Sequence, residues 1–206
     1  MRYLQLMVVM AALLAMPLSY VNAQEEDLDE SDFSSTTANV FKVDENNNYQ
    51  DNLALREARK VGLGLSAGGA LGLYGLNVEI NFEDINGAVV GVGGGDGYST
   101  VNLAWKHVFL GDTVAPYTTL GFAHWYDSSG GDAYKNSSVL ERVLTDSEKS
   151  SGRFAVDFIS GAVGLQYTQL QGNLAGTSLY AEIVLLGDVT HGELVPTGAV
   201  GAGYYF

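Results

Sequence analysis

The chain has 206 residues, which suits one domain, and it carries a formal net charge of −14. The lack of cysteine excludes a disulfide framework and thiol chemistry. The acidic balance argues against nucleic acid as a partner, because phosphate backbones are bound by clustered cations.

Residues 1–23 have the layout of a secretory signal peptide. Arg2 precedes a largely apolar run over residues 4–16, and Pro17 interrupts it. Val21 and Ala23 place small residues at the third-last and last positions of the segment, so we expect cleavage after Ala23. An uncleaved anchor helix is the alternative, but the apolar run is short for a membrane span.

Residues 24–59 form an acidic leader, with ten acidic residues against three basic ones. Few apolar side chains occur in residues 24–48, so we predict a mostly disordered periplasmic segment. A contact arm or a plug is the alternative. Asp51 or Asn52 can cap a short helix over residues 53–60.

Residues 60–206 contain apolar runs that alternate with period two and are separated by turn residues. The 26 glycines and 12 tyrosines suit strands better than helices. The pattern predicts eight strands, at residues 61–69, 74–82, 87–94, 98–109, 116–126, 153–168, 178–186 and 197–206.

The alternation separates apolar residues from glycine, amide and charged residues. In the second strand, Leu76, Val78 and Ile80 share one face, and Asn77 and Glu79 share the other. A polar interior with an apolar exterior is typical of a transmembrane β-barrel.

The facing of the fifth and sixth strands is ambiguous. In the fifth strand, Leu120 and Phe122 favour one face as the exterior, whereas Tyr117 and Trp125 favour the other. In the sixth strand, we place the odd-numbered residues 159–167 outside.

The predicted fold class is therefore all-β: an eight-stranded antiparallel up-and-down transmembrane barrel with a disordered acidic N-terminal leader. An even number of strands closes the sheet and leaves no free edge. If both termini are periplasmic, the longest connection, residues 127–152, lies outside the cell, as is usual. Side chains fill the lumen of so narrow a barrel, so an open channel is not expected.

The final strand ends on the alternating residues Val200, Ala202, Tyr204 and Phe206. Together with the signal peptide and the eight strands, this pattern resembles the small outer-membrane barrels of the OmpA/OmpX type at the level of architecture. The resemblance implies a monomer in the outer membrane of a Gram-negative bacterium, in contact with lipid and lipopolysaccharide. It also implies that these four residues form the recognition signal for the barrel-assembly machinery, with Ala202 smaller than the usual residue.

Glu79, Lys106 and Glu182 are predicted to point into the lumen and to form a polar network centred on the lysine. A buried charge is costly unless it is paired, so we expect these groups to interact. We interpret the network as packing that fills the lumen; a proton or ion path is the alternative.

The three histidines, His107, His124 and His191, have no metal-ligand spacing, so we predict no metal site and no cofactor. Some eight-stranded barrels are lipid-modifying acyltransferases or deacylases with His and Ser at the outer rim. His124 with Ser128, or His191 with Asp188, would imitate such a site. However, this sequence does not show the spacing of His and Ser that those enzymes have.

In the long connection, Ser138 and Glu141 have the spacing of a capping box. A short helix to about residue 149 is predicted to follow, with Val143 and Leu144 on its apolar face. That face either packs on the barrel mouth or presents a binding surface.

These patterns predict a non-enzymatic protein that stabilises the envelope or displays its outer loop for contact. A lipid-modifying enzyme is one alternative, and a narrow channel or small-ligand carrier is another.

Overall fold

A computed structural model describes residues 48–109, 111–128 and 132–206. The predicted signal peptide, and the leader as far as residue 47, lie outside the described residues.

A short helix precedes the sheet. Helix α1, Asn52–Ala58, begins at Asp51, whose side chain accepts a hydrogen bond from the backbone N–H of Ala54 at 2.8 Å. This cap satisfies an amide that has no partner within the helix. Asp51 is one of the two caps that the sequence predicts, and the helix ends before residue 60.

Eight strands follow and form one sheet: β1 Val61–Gly68, β2 Tyr74–Asn81, β3 Asn86–Gly95, β4 Tyr98–Val108, β5 Val114–Asp127, β6 Ala155–Thr168, β7 Thr177–Asp188 and β8 Leu194–Tyr205. Every neighbouring pair is antiparallel, and β1 pairs with β8, so the sheet closes into a barrel in sequence order. The predicted eight-stranded up-and-down architecture is confirmed. Each predicted strand overlaps one observed strand, and the bounds differ by at most three residues.

Two ends of the barrel can be distinguished by their connections. Helix α1, the turns at residues 82–85 and 169–176, and the end of β4 with the start of β5 lie at one end, which we name the inner end. The long connection between β5 and β6 lies at the other, the outer end. It contains a 3-10 turn, Ala133–Lys135, helix α2, Ser138–Val143, and helix α3, Asp146–Ser151. No helix in the described part of the chain has the length and apolar character to cross a membrane.

The structure decides the facing of both ambiguous strands. In β5, Tyr117 and Trp125 are 3% and 1% exposed and point inward, whereas Phe122 is 45% exposed and points outward. In β6, Phe158 is fully buried and Ile159 is exposed, so the odd-numbered residues face outward, as the sequence predicts. The Trp125 side chain points inward because the barrel interior is apolar near the outer end.

Candidate functional site

The polar side chains of the lumen meet around Glu79 of β2. Its Oε2 accepts hydrogen bonds from Lys106 Nζ at 2.7 Å and from the Tyr205 hydroxyl at 2.8 Å, and its Oε1 accepts one from the Arg56 guanidinium. Glu79 is buried, so these three donors, rather than solvent, stabilise its charge. The sequence predicts a lysine at the centre of the network. The structure has a carboxylate there, because two oxygens can accept from several donors at once.

Lys106 connects Glu79 with the second lumen carboxylate, Glu182. Its Nζ donates to Gln166 Oε1 at 2.6 Å and lies 4.6 Å from the centre of the Tyr117 ring. The Tyr117 hydroxyl donates to Glu182 Oε2 at 2.8 Å. The structure thus brings the three predicted lumen residues together, with Tyr117 between Lys106 and Glu182.

Helix α1 closes the inner end of the lumen. Asn52, Leu55 and Arg56 are fully buried and lie on one helix face, since their spacing is three and four residues. Besides its contact with Glu79, Arg56 donates from Nε to the backbone oxygen of Asp84 at 2.8 Å. Residues 49–59 therefore close the inner end and include the short helix that the sequence predicts, whereas the segment predicted to be disordered, residues 24–48, lies outside the described residues except for Asn48.

Arg56 was missed at the level of sequence. A helix rich in polar residues within an acidic segment gave no reason to place a cation inside the barrel. The available signal was the charge of the predicted network itself, because one lysine does not balance Glu79 and Glu182 in a buried site. Arg56 supplies the second positive charge.

Arg59 fixes the end of α1 to the last strand. It donates to the backbone oxygen of Tyr205 at 2.8 Å and to the Tyr49 hydroxyl at 2.9 Å. Leu55 packs below the lumen in an apolar cluster with Tyr49, which precedes α1, with Leu170 and Ala175 between β6 and β7, and with Tyr205 of the last strand.

Glycines make room for aromatic rings across the narrow interior. A Cβ at Gly62 would lie 2.8 Å from the Tyr205 ring, and one at Gly201 would clash with the Tyr180 ring. A cavity of about 90 Å³ remains in the lumen beside the polar network, and its lining extends from Lys106 and Tyr205 toward the inner end to Ala70 and Leu71 toward the outer end.

The outer end of the lumen is closed by an apolar cap around Trp125. Its ring stacks on Tyr98 with 5.2 Å between centroids and contacts Phe158 edge-on at 5.5 Å. The indole N–H donates to the backbone oxygen of Ala70 at 2.9 Å, so the ring is buried without an unpaired polar atom.

The apolar face of α2 packs on this cap. The side chains of Leu140, Val143 and Leu144 are at most 5% exposed and belong to the same cluster as Trp125. Of the two alternatives for the predicted helix, packing on the barrel mouth is the one observed.

The predicted capping box of this helix is wrong. The N-cap is Ser137, whose hydroxyl accepts from the Leu140 N–H at 3.3 Å; Ser138 is the first helical residue, and Glu141 is exposed. Both serines carry a hydroxyl that can accept a hydrogen bond at a helix start. Ser137 is the cap because the helix must begin at Ser138 for the Leu140 side chain to be buried. The helix also stops at Val143, and Leu144 is its extended C-cap.

A capping box does form at the start of α3. Thr145 and Glu148 exchange hydrogen bonds, with the Thr145 N–H donating to Glu148 Oε2 at 2.8 Å. Burial acts to raise the pKa of Glu148, but the hydrogen bonds from Thr145 and the charge of His191 outweigh it, so the pKa of Glu148 lies below its ordinary value.

The histidines do not assemble a metal site. His124 Nδ1 lies 2.7 Å from Asp157 Oδ1 on the outward face of β5 and β6, and His191 Nδ1 lies 2.7 Å from Asp188 Oδ2. Ser128, the other candidate beside His124, donates its N–H to the Gly97 oxygen at 3.2 Å. Within residues 48–109, 111–128 and 132–206, no group of three or more metal-ligating side chains is found.

The exterior carries a belt of apolar side chains around the barrel. The largest exposed ones include Leu63, Leu65, Leu76, Ile80, Val92, Leu103, Leu165, Ile183 and Val200, which are 47% to 70% exposed. Aromatic side chains flank this belt. Phe82, Trp105, Tyr167, Tyr204 and Phe206 lie toward the inner end, and Tyr74 and Tyr126 lie toward the outer end.

Comparison with known structures finds similarity to the outer membrane protein Ail of Yersinia pestis, whose backbone structure was determined in a phospholipid bilayer nanodisc. The match covers 72% of this chain and 99% of Ail, with 15% sequence identity and a TM-score of 0.40. No protein family model matches the chain, and no curated protein matches it.

Proposed function

We propose that the protein is an outer-membrane β-barrel with a structural or surface-contact role, and that its own side chains fill the lumen. The observation that carries this proposal is the apolar belt around a closed barrel. In water, soluble monomers rarely expose contiguous apolar patches above a few hundred Å². In a bilayer, lipid chains rather than water contact the apolar belt, and a closed sheet leaves no unpaired strand edge in the hydrocarbon.

The aromatic residues on either side of the belt support an orientation across the bilayer. Tyrosine and tryptophan are favoured at both membrane interfaces, where an apolar ring meets a polar environment. The outer end carries the longest connection, which in such barrels faces the outside of a Gram-negative cell. Both ends of the described chain then lie on the periplasmic side.

The closed lumen supports a role without conduction. Helix α1 covers the inner end with buried Leu55 and Arg56, and the cap around Trp125 covers the outer end. Between them lies a cavity of about 90 Å³. A continuous aqueous path would require both closures to move.

We also propose the immediate partners of this barrel. Val200, Tyr204 and Phe206 are 58%, 38% and 61% exposed on the exterior, where the barrel-assembly machinery can read them together with Ala202. Outer-membrane lipid and lipopolysaccharide then cover the belt of a monomer.

A lipid-modifying enzyme is the second candidate, and one observation favours it. The His124–Asp157 pair faces outward near the outer end, and a carboxylate that orients a histidine is half of a nucleophile-activating arrangement. In the described part of the chain, no hydrogen bond joins a serine to His124 or His191.

Expression of the full chain in a Gram-negative host tests the leading proposal. We expect the protein in the outer-membrane fraction, dependent on detergent for extraction and able to fold into lipid vesicles. A chain that is folded and soluble without detergent would overturn the membrane assignment.

We expect no current in planar bilayers, and stable single-channel steps would overturn the closed lumen. We also expect no change in lipid A acylation; an activity that His124→Ala or His191→Ala abolishes would establish the enzyme.

A further inference from the structure

We propose that the inner end of the lumen is a binding site for one guanidinium-type cation, and that Arg56 of α1 is its resident occupant. The proposal concerns the interior of the barrel and stands independently of the membrane assignment.

Two oxygen acceptors bind the guanidinium, and a third lies near it. Glu79 Oε1 accepts from Nη1, and the Asp84 backbone oxygen accepts from Nε at 2.8 Å. The third is Asn81 Oδ1, which is buried and, among the described residues, has no hydrogen-bond partner. Arg56 Nη2 is also buried and also lacks a hydrogen-bond partner among these residues. Carboxylate, carbonyl and amide oxygens around a planar ion are the acceptors that a five-donor guanidinium requires.

The two unpaired atoms lie beside the same glycine. An ideal Cβ at Gly87 would be 2.9 Å from Asn81 Oδ1 and 3.3 Å from Arg56 Nη2. The missing side chain at Gly87 therefore lets Asn81 Oδ1 and the Arg56 guanidinium approach the wall of the barrel, where a larger residue would displace them.

Charge makes the site selective for a cation. Without Arg56, the two carboxyl groups of Glu79 and Glu182 share the single cation of Lys106 in a buried setting. Lys106 cannot compensate by moving, because it already binds Glu79 and Gln166. Removal of one cation from a buried charged network is strongly destabilising, so a positively charged replacement for Arg56 is favoured over a neutral one.

The guanidinium ion itself is the probe, and urea is its neutral counterpart of the same shape. The full chain with Arg56→Ala is folded in detergent, and thermal unfolding is followed by circular dichroism at increasing millimolar guanidinium chloride, urea or sodium chloride. We expect guanidinium to raise the Tm of Arg56→Ala saturably, since a ligand that binds only the folded state stabilises it by mass action. Urea and sodium chloride should produce no such rise.

Two controls locate the effect. Wild-type protein should show no saturable rise, because Arg56 fills the site. In Arg56→Ala with Glu79→Gln, the half-maximal guanidinium concentration should increase about tenfold or more, because the charged acceptor is lost.

If Arg56→Ala does not fold in detergent without an additive, the yield of refolding is measured with the same three additives, and only guanidinium should restore it. Equal responses to guanidinium and urea, or equal responses of wild type and Arg56→Ala, would overturn the proposal.

Discussion

The guanidinium of Arg56, on a helix outside the sheet, donates to the carboxylate of Glu79 inside the barrel. This contact joins the helix that closes the inner end to the network that fills the lumen. Glu79 also binds Lys106 and Tyr205, so one carboxylate connects α1 with β2, β4 and β8.

Glu79→Gln should therefore be strongly destabilising. The variant leaves the cations of Arg56 and Lys106 without their shared carboxylate, and removal of one partner from a buried ion pair costs about 3–5 kcal/mol. The free energy of unfolding, from urea titration in lipid vesicles, is the measurement. Glu182→Gln is the matched control, with an expected loss of about 0.5–1.5 kcal/mol because Glu182 accepts from the neutral Tyr117 hydroxyl. Equal losses in the two variants would contradict the central role of Glu79.

Leu140→Ala should loosen the outer cap. Leu140 is fully buried against the barrel mouth, and truncation of a buried leucine costs about 2–5 kcal/mol. The neighbouring Glu141 is exposed, so Glu141→Ala should change stability by no more than about 0.5 kcal/mol. Limited proteolysis of the long connection reports the effect directly. A connection that stays resistant in Leu140→Ala would show that α2 does not depend on its apolar face.

Ile183→Arg should impair folding into lipid. Ile183 is 70% exposed on the exterior and lies midway along β7. An arginine at the midplane of a transmembrane barrel costs about 2–4 kcal/mol, and the cost falls to about 0–1 near the interfaces. Val189→Arg, just beyond the outer end of β7, is the control and should fold into vesicles almost normally. If both variants fold equally well, the belt does not face hydrocarbon.

Gly201→Ala should disturb the lumen. A Cβ at this position would meet the Tyr180 ring and would lie 2.5 Å from the backbone oxygen of Leu65, so the strand or the ring must move. Such overpacking typically costs about 1–3 kcal/mol. In the same strand, a Cβ at Gly198 would come no closer than 3.5 Å to its nearest neighbour, and Gly198→Ala should be tolerated. Unfolding midpoints of the two variants give the comparison.

The capping box at Thr145 and Glu148 should make α3 sensitive to acid. The folded-state pKa of Glu148 is below its ordinary value of 4.5, so its stabilisation is present above that pH and is lost as the pH falls through the lowered pKa. Carboxyl NMR titration of Glu148 measures this shift. Thr145→Ala should weaken α3 by about 1 kcal/mol and should move the pKa of Glu148 back toward 4.5. An unchanged titration curve in Thr145→Ala would show that the hydrogen bonds do not set the shift.

The architecture was accessible from the sequence because strand alternation is local. Leu76, Val78 and Ile80 face outward wherever β2 lies, since successive side chains in a strand point to opposite faces. The same rule identified Glu79, Lys106 and Glu182 as lumen residues. It could not decide the facing of β5, because Tyr117, Trp125 and Phe122 are all apolar.

Only the tertiary structure decided how the lumen is closed. Arg56 and Glu79 are separated by 23 residues, and their pairing depends on where α1 docks on a barrel that forms from the rest of the chain. Likewise, Ser137 rather than Ser138 caps α2, because Leu140 and Val143 must reach the cap around Trp125. Outside β5 and β6, the sequence by itself determined which side chains of a strand face inward, through a period of two residues. The partners of those side chains across the lumen depend on contacts between distant segments, which no local pattern encodes.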